Sequence, residues 1–250
     1  MRTVTTELAG LTCRFASAEN AKPELLVVLC HGYGAPGHDL VPVAAEVLRA
    51  RPALAERVMF CFPAAPLSLG GVPPFESRAW WPIDVGRFER ALTTGSIAAL
   101  REDVPEGLAS ARRLLLGLLD ALQRQTGLPM GRIVLGGFSQ GAMLATDLTL
   151  RLDEAPAALA IFSGTMLAES EWRRLAPRRR GLRVLQTHGR QDPLLPFVSA
   201  SWVRELLAEA GLEVRYLPFD GPHTIGAEGV HGLADLLGDL LAVAGSGDSQ

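Results

Sequence analysis

The chain has 250 residues, enough for one large α/β domain with its own core and not enough to require a second. Apolar residues make up 48% and charged residues 20%, the composition of an ordinary globular protein. A formal net charge of −3 argues against a nucleic-acid binder, and the lack of any run of about 18 apolar residues argues against a membrane span.

Residues 3–17 read as two short strands around Gly10, an antiparallel hairpin at a sheet edge. Apolar runs of strand length then alternate with helical patterns. The runs are Leu25–Cys30, Val58–Phe62, Arg132–Leu135, Ala157–Phe162, Leu182–Thr187 and Val214–Leu217. Most are continuously apolar, as parallel strands buried on both faces must be. Helices are predicted over Asp39–Arg51, Pro105–Gln125, Gln140–Arg151, Ser199–Ala210 and Val230–Ala242. This alternation implies right-handed βαβ units and a mostly parallel sheet with helices on both faces. Residues 63–100 interrupt it with Pro63, Pro66, Pro73, Pro74, Pro82 and the pair Trp80-Trp81, and so read as an ordered insert near a site. No linker divides residues 1–250, and residues 245–250 read as a frayed Gly/Ser tail.

The N-terminus lacks the apolar run of a signal peptide. The three cysteines, Cys13, Cys30 and Cys61, are odd in number and lack metal-ligand spacing, which suggests reduced thiols and a cytoplasmic location. Cys30 and Cys61 lie in apolar runs and are expected to be buried.

Gly137-Phe138-Ser139-Gln140-Gly141 fits the G-x-S-x-G nucleophile elbow, with a strand before it and a helix after it. The turn must hold Ser139 out of the sheet in a strained conformation, so positions 137 and 141 must be small. The helix start also favours an anion, and the N–H of Gln140 is a natural oxyanion donor.

A serine hydroxyl needs a base, and in folds that carry this elbow the triad runs Ser, Asp or Glu, His along the chain. Of His188, His223 and His231, only His223 lies in a loop after the last buried strand. His188 is expected to shape the acid's loop, and His231 falls inside the last helix. Asp192, in the loop after Leu182–Thr187, is the expected acid; Asp220 is too close to His223 in the chain to approach its ring easily from the far side. The second oxyanion donor is expected at the Tyr33 N–H, between Gly32 and Gly34. His31 should brace that loop, His38 and Asp39 should be solvated or at its rim, and Asp39 could cap the first helix.

The segments HGYGAPG, GGFSQGAML, HGRQDPLLP and GPH, in this order, resemble the phospholipase/carboxylesterase family of α/β-hydrolases, which includes acyl-protein thioesterases and small carboxylesterases. The resemblance spans about residues 25–231. It implies an α/β-hydrolase fold, triad roles for Ser139, Asp192 and His223, and oxyanion roles for the backbone of Tyr33 and Gln140. It also implies no metal and no organic cofactor. The sequence departs from the family at Arg78-Ala79-Trp80-Trp81-Pro82-Ile83-Asp84 and at Ser163-Gly164-Thr165-Met166-Leu167, both expected to border the acyl site.

The predicted reaction is hydrolysis of a small-molecule ester or thioester through an acyl-enzyme. Leu69, Phe75, Trp80 and Trp81 are pocket candidates, with the alternative that the tryptophans pin a Pro-rich loop. Leu194, Leu195 and Phe197 could form another apolar wall. Arg78 could pair with Asp84 or with an acidic substrate, and Arg178-Arg179-Arg180 reads as a solvated turn. The alternatives are a peptidase or lactone hydrolase on the same fold, and a non-catalytic ligand-binding homologue. The oligomeric state is left open, a homodimer included.

Overall fold

Continuous apolar runs become the middle of an eight-stranded sheet because helices cover both of its faces. The computed structural model describes residues 1–72 and 76–247. In chain order, the first elements are β1 (Arg2–Leu8), β2 (Leu11–Ser17), β3 (Leu25–Cys30), α1 (Val41–Ala50) and β4 (Val58–Pro63). There follow β5 (Leu67–Gly70), β6 (Ser77–Ala79), α2 (Val85–Thr93), α3 (Leu108–Thr126), β7 (Ile133–Phe138) and α4 (Gln140–Arg151). The chain then forms β8 (Ala158–Phe162), α5 (Glu169–Leu175), β9 (Arg183–Gly189), α6 (Phe197–Glu209), β10 (Glu213–Phe219) and α7 (Ala227–Gly247).

The main sheet runs β1-β2-β4-β3-β7-β8-β9-β10. The β1–β2 and β2–β4 pairs are antiparallel, which makes the predicted N-terminal edge; the other pairs are parallel. In β3, Leu26, Val28 and Cys30 pack into the core that holds Leu115 and Leu119 of α3 and Leu144 and Leu148 of α4. Leu25, Val27 and Leu29 pack on the opposite face with Ala44 and Val47 of α1 and Leu233 and Leu237 of α7. Both parities of the strand are therefore buried, and no polar alternation survives.

Helix α4 is buried along Gln140–Leu150. Its fully buried Asp147 accepts hydrogen bonds from Arg112 of α3 (2.6 Å), Trp172 of α5 (3.0 Å) and Arg151 (3.1 Å). A buried carboxylate needs such partners, and here they tie three helices together.

The structure corrects several expectations. The insert contains a small antiparallel pair, β5–β6, and the amphipathic helix α2; strands of four and three residues are too short to show a period of two. Asp84 does not pair with Arg78: it caps α2 by accepting from Arg87 N (2.8 Å), whereas Arg78 pairs with Glu76 (3.0 Å) and donates to Ala65 O (2.7 Å). The N-cap position of α1 is Leu40, not Asp39. Arg179 is buried and donates to Thr149 O (2.7 Å), so the triple-arginine segment is not wholly solvated. Helix α5 has no counterpart among the predicted helices. Helix α7 continues through Gly247 in place of the expected tail, and 248–250 lie outside the described residues. All three cysteines are free and buried, and burial pushes the Cys30 and Cys61 thiols above their ordinary range. Among the described residues, no helix is long and apolar enough to cross a membrane.

Candidate active site

Ser139 sits between β7 and α4 with φ 53° and ψ −117°. A non-glycine residue in this region is strained, and the surrounding packing must hold it there. Its N–H donates to Phe162 O (2.9 Å), and its carbonyl accepts from Ala142 N (3.0 Å) and Met143 N (3.2 Å). The two flanking glycines explain how the chain closes so tightly. A Cβ on Gly137 would lie 2.5 Å from Cys30 O, and one on Gly141 would lie 2.1 Å from the same oxygen. That carbonyl belongs to β3, whose Cys30 is in register with Gly137 of β7, so it cannot yield without disturbing the central pairing. Gly141→Ala is expected to cost at least about 3 kcal/mol, seen as a Tm lower by roughly 6–12 °C. A thermal melt within about 2 °C of wild type would show that the elbow is not packed this way.

Asp192 and His223 lie in the loops after β9 and β10, at the same edge of the sheet. His223 Nδ1 is 2.6 Å from Asp192 Oδ2. An ionised carboxylate only accepts, so Nδ1 carries the hydrogen and Nε2 is left as the basic nitrogen. The imidazole ring lies against Phe138, with 4.7 Å between ring centroids, which sets it beside the residue preceding Ser139. The other oxygen of Asp192 accepts from Leu194 N (2.9 Å) and Leu195 N (2.8 Å). His188 donates from Nε2 to Leu195 O (2.8 Å) and lies 3.3 Å from Asp192 Oδ2, so it braces the loop that carries Asp192. Burial works against the Asp192 charge. Hydrogen bonds from His188, His223 and the Leu195 N–H outweigh it and hold the carboxyl well below the usual range. Asp220 is exposed and 3.4 Å from Arg190, and His231 is exposed on α7; neither joins the cluster.

The loop after β3 approaches the elbow closely. A Cβ on Gly32 would be 3.1 Å from the Phe138 ring and 3.3 Å from Ser139 Cβ. Gly34 has φ 80°, a left-handed conformation suited to glycine, and donates to Arg78 O (2.8 Å). Among the described residues, neither the Tyr33 nor the Gln140 N–H donates to a protein acceptor. Buried His31 accepts from Ala65 N (2.9 Å) at Nε2, which puts its hydrogen on Nδ1, 2.8 Å from Gly32 O. Burial lowers its basicity and favours this neutral form.

Trp80 and Trp81 are 1% and 2% exposed, a burial that fits the alternative in which they pin the loop. The indole N–H of Trp80 donates to His31 O (2.9 Å). The Gln140 side chain completes the pin by accepting from Trp80 N (2.9 Å) and donating to Trp81 O (2.8 Å). The sequence pattern had pointed only to the backbone of Gln140. Ser163, in a segment expected to border the acyl site, has φ 50° and donates from Oγ to Thr224 O (3.2 Å), next to His223; nothing in the sequence pattern points to this hydrogen bond. No local pattern marks a side chain whose partner is about 60 residues away.

Leu69 and Leu194 are exposed, Leu195 is buried and Phe75 lies outside the described residues. The cavity that contains His223 and Phe138 is instead walled by α1 and the start of α7, and measures about 290 Å³. A larger one, about 360 Å³, lies among β9, β10 and α7 and contains none of these groups. Among the described residues, no cluster of His, Cys, Asp or Glu could hold a metal ion.

Residues 11–238 match the family model described as Phospholipase/Carboxylesterase. The chain belongs to this family. Acyl-protein thioesterase 1 of Neurospora crassa is 28% identical over 227 residues, covering 88% of this chain and 89% of the relative. A relative with the same description from Eremothecium gossypii is 29% identical, covering 90% and 89%. The solved structure of esterase PE8 superposes with a TM-score of 0.71 at 30% identity, covering 92% of this chain and 99% of that one. The Bacillus cereus carboxylesterase, at 18% identity and a TM-score of 0.64, shares the fold. As a member of the phospholipase/carboxylesterase family, the chain is a hydrolase of carboxylic esters or thioesters.

Proposed function

We propose that Ser139 is the nucleophile, His223 its general base and Asp192 the acid that orients the base, with the N–H groups of Tyr33 and Gln140 holding the oxyanion. The observation that carries this reading is the 2.6 Å contact between His223 Nδ1 and Asp192, with the imidazole packed on Phe138, the residue before a serine in a strained elbow. His223 Nε2 takes the Ser139 proton as Oγ attacks the carbonyl carbon. The carbonyl electron pair moves to oxygen, where backbone donors stabilise it; such a donor is worth roughly 3–4 kcal/mol of barrier. The intermediate collapses, the bond to the leaving group breaks, and the imidazolium returns the proton to the departing oxygen or sulfur. Water, deprotonated by the same nitrogen, then attacks the acyl carbon; the bond to Oγ breaks, the imidazolium passes its proton to Oγ, and the acid leaves.

The three free cysteines accord with a cytoplasmic location. A fluorophosphonate probe is expected to label the wild-type protein at Ser139, with p-nitrophenyl esters and thioesters turned over well ahead of peptide amides. Absent labelling, under conditions that label a known esterase, would favour a non-catalytic binding role.

A further inference from the structure

The cavity beside His223 is asymmetric in charge. Phe138, Ile225, Val230, Leu40 and Val43 contribute apolar side chains to its lining, although polar groups supply the larger part of the exposed surface. Asp39 and Glu46 line it on the α1 side; burial pushes the Asp39 carboxyl up, and the nearby His31 and His38 oppose that shift. No lysine or arginine is among the described residues that line it. A carboxylate on a helix surface is ordinarily just solvated. Two carboxylates lining one groove, Asp39 just before α1 and Glu46 on it, with the general base in its wall, form a local negative field that any charged substrate group entering the groove must meet.

Which part of a substrate enters follows from the proton. In the mechanism proposed above, His223 must hand its proton to the leaving atom, so the leaving group departs along the side of the site that His223 occupies. The groove contains His223, and its volume of about 290 Å³ suits a short chain with a small terminal group. Resting on that reading, we propose that the groove between α1 and the His223 loop is the leaving-group subsite. It selects esters and thioesters whose alcohol or thiol has a short apolar stem ending in a cation, and disfavours those ending in an anion.

Two butyryl thioesters test this, one of thiocholine and one of 2-mercaptoethanesulfonate. Both have a two-carbon stem and the same acyl group, and both release a thiol that one reagent reads; the terminal charge is reversed. Each kcat/KM is divided by the rate of hydrolysis by hydroxide, to remove the difference in thiol reactivity. At low ionic strength the wild-type protein should favour the cationic thioester about tenfold, and 0.5 M salt should erode that ratio. The ratio should fall to within about twofold in Asp39→Asn/Glu46→Gln, and part-way in Glu46→Gln alone. A wild-type ratio near one, or a ratio that the double variant leaves unchanged, overturns the subsite while Ser139 still labels with fluorophosphonate. Loss of both labelling and turnover in the wild-type protein overturns the catalytic assignment and the subsite together.

Discussion

Ser139→Ala should lower kcat/KM for a p-nitrophenyl ester by about 10⁵–10⁶-fold and abolish fluorophosphonate labelling, while thermal stability stays close to wild type. The rate loss follows from removing the only atom that forms the acyl bond; in comparable enzymes, deleting the nucleophile alone costs nearly as much as deleting the whole triad. Stability should survive because the hydrogen bonds of residue 139 run through its backbone N–H and carbonyl, which alanine keeps. Alanine also already has the Cβ that the elbow accommodates. A variant that folds and retains more than about one-hundredth of wild-type turnover would exclude Ser139 as nucleophile.

Asp192→Asn should lower kcat/KM by about 10⁴-fold at pH 7, the scale seen when the orienting acid of a triad is neutralised. The carboxamide that replaces the carboxylate can present an N–H to His223 Nδ1, which would leave the ring hydrogen on Nε2, where it cannot accept the serine proton. The same substitution should also change the response to acid. The folded-state affinity of Asp192 for a proton is depressed, so its ionised form stabilises the fold above the ordinary carboxyl value of about 3.9. That contribution is lost as pH falls below this value towards the depressed one. The variant has no such group, so the Tm difference between wild type and variant should shrink on acidification from about pH 5 to pH 2. A constant difference would mean that Asp192 is not held ionised by His188 and His223.

What can be read from the chain alone is whatever is encoded locally. The elbow is a five-residue pattern with steric reasons at two glycines, and both hold in the structure. Parallel strands declare themselves by apolar runs, although β7 extends to Phe138 past the apolar stop at Leu135, because Gly136 and Gly137 still make the ladder with Leu29 and Cys30. The predicted and observed bounds of α4 agree to the residue, because the elbow fixes its start and the apolar pattern runs to its last turn. The insert is opaque: its elements are short, and what orders it is a set of hydrogen bonds to Gln140 and His31, far away in sequence. The pocket candidates suffer similarly. Aromatic character marks Trp80 and Trp81 as important, but whether an aromatic ring is a lining or a rivet depends on its depth, which only the tertiary structure sets.

That riveting has a consequence for how the family can diversify. The base of the insert is bolted to the turn at Ser139 through the Gln140 amide side chain, whereas Leu67, Leu69 and Val72 at its outer end are exposed. The outer end can therefore be lengthened, shortened or exchanged without loosening the machinery beneath it. New preferences can be auditioned at the rim while the chemistry stays in register.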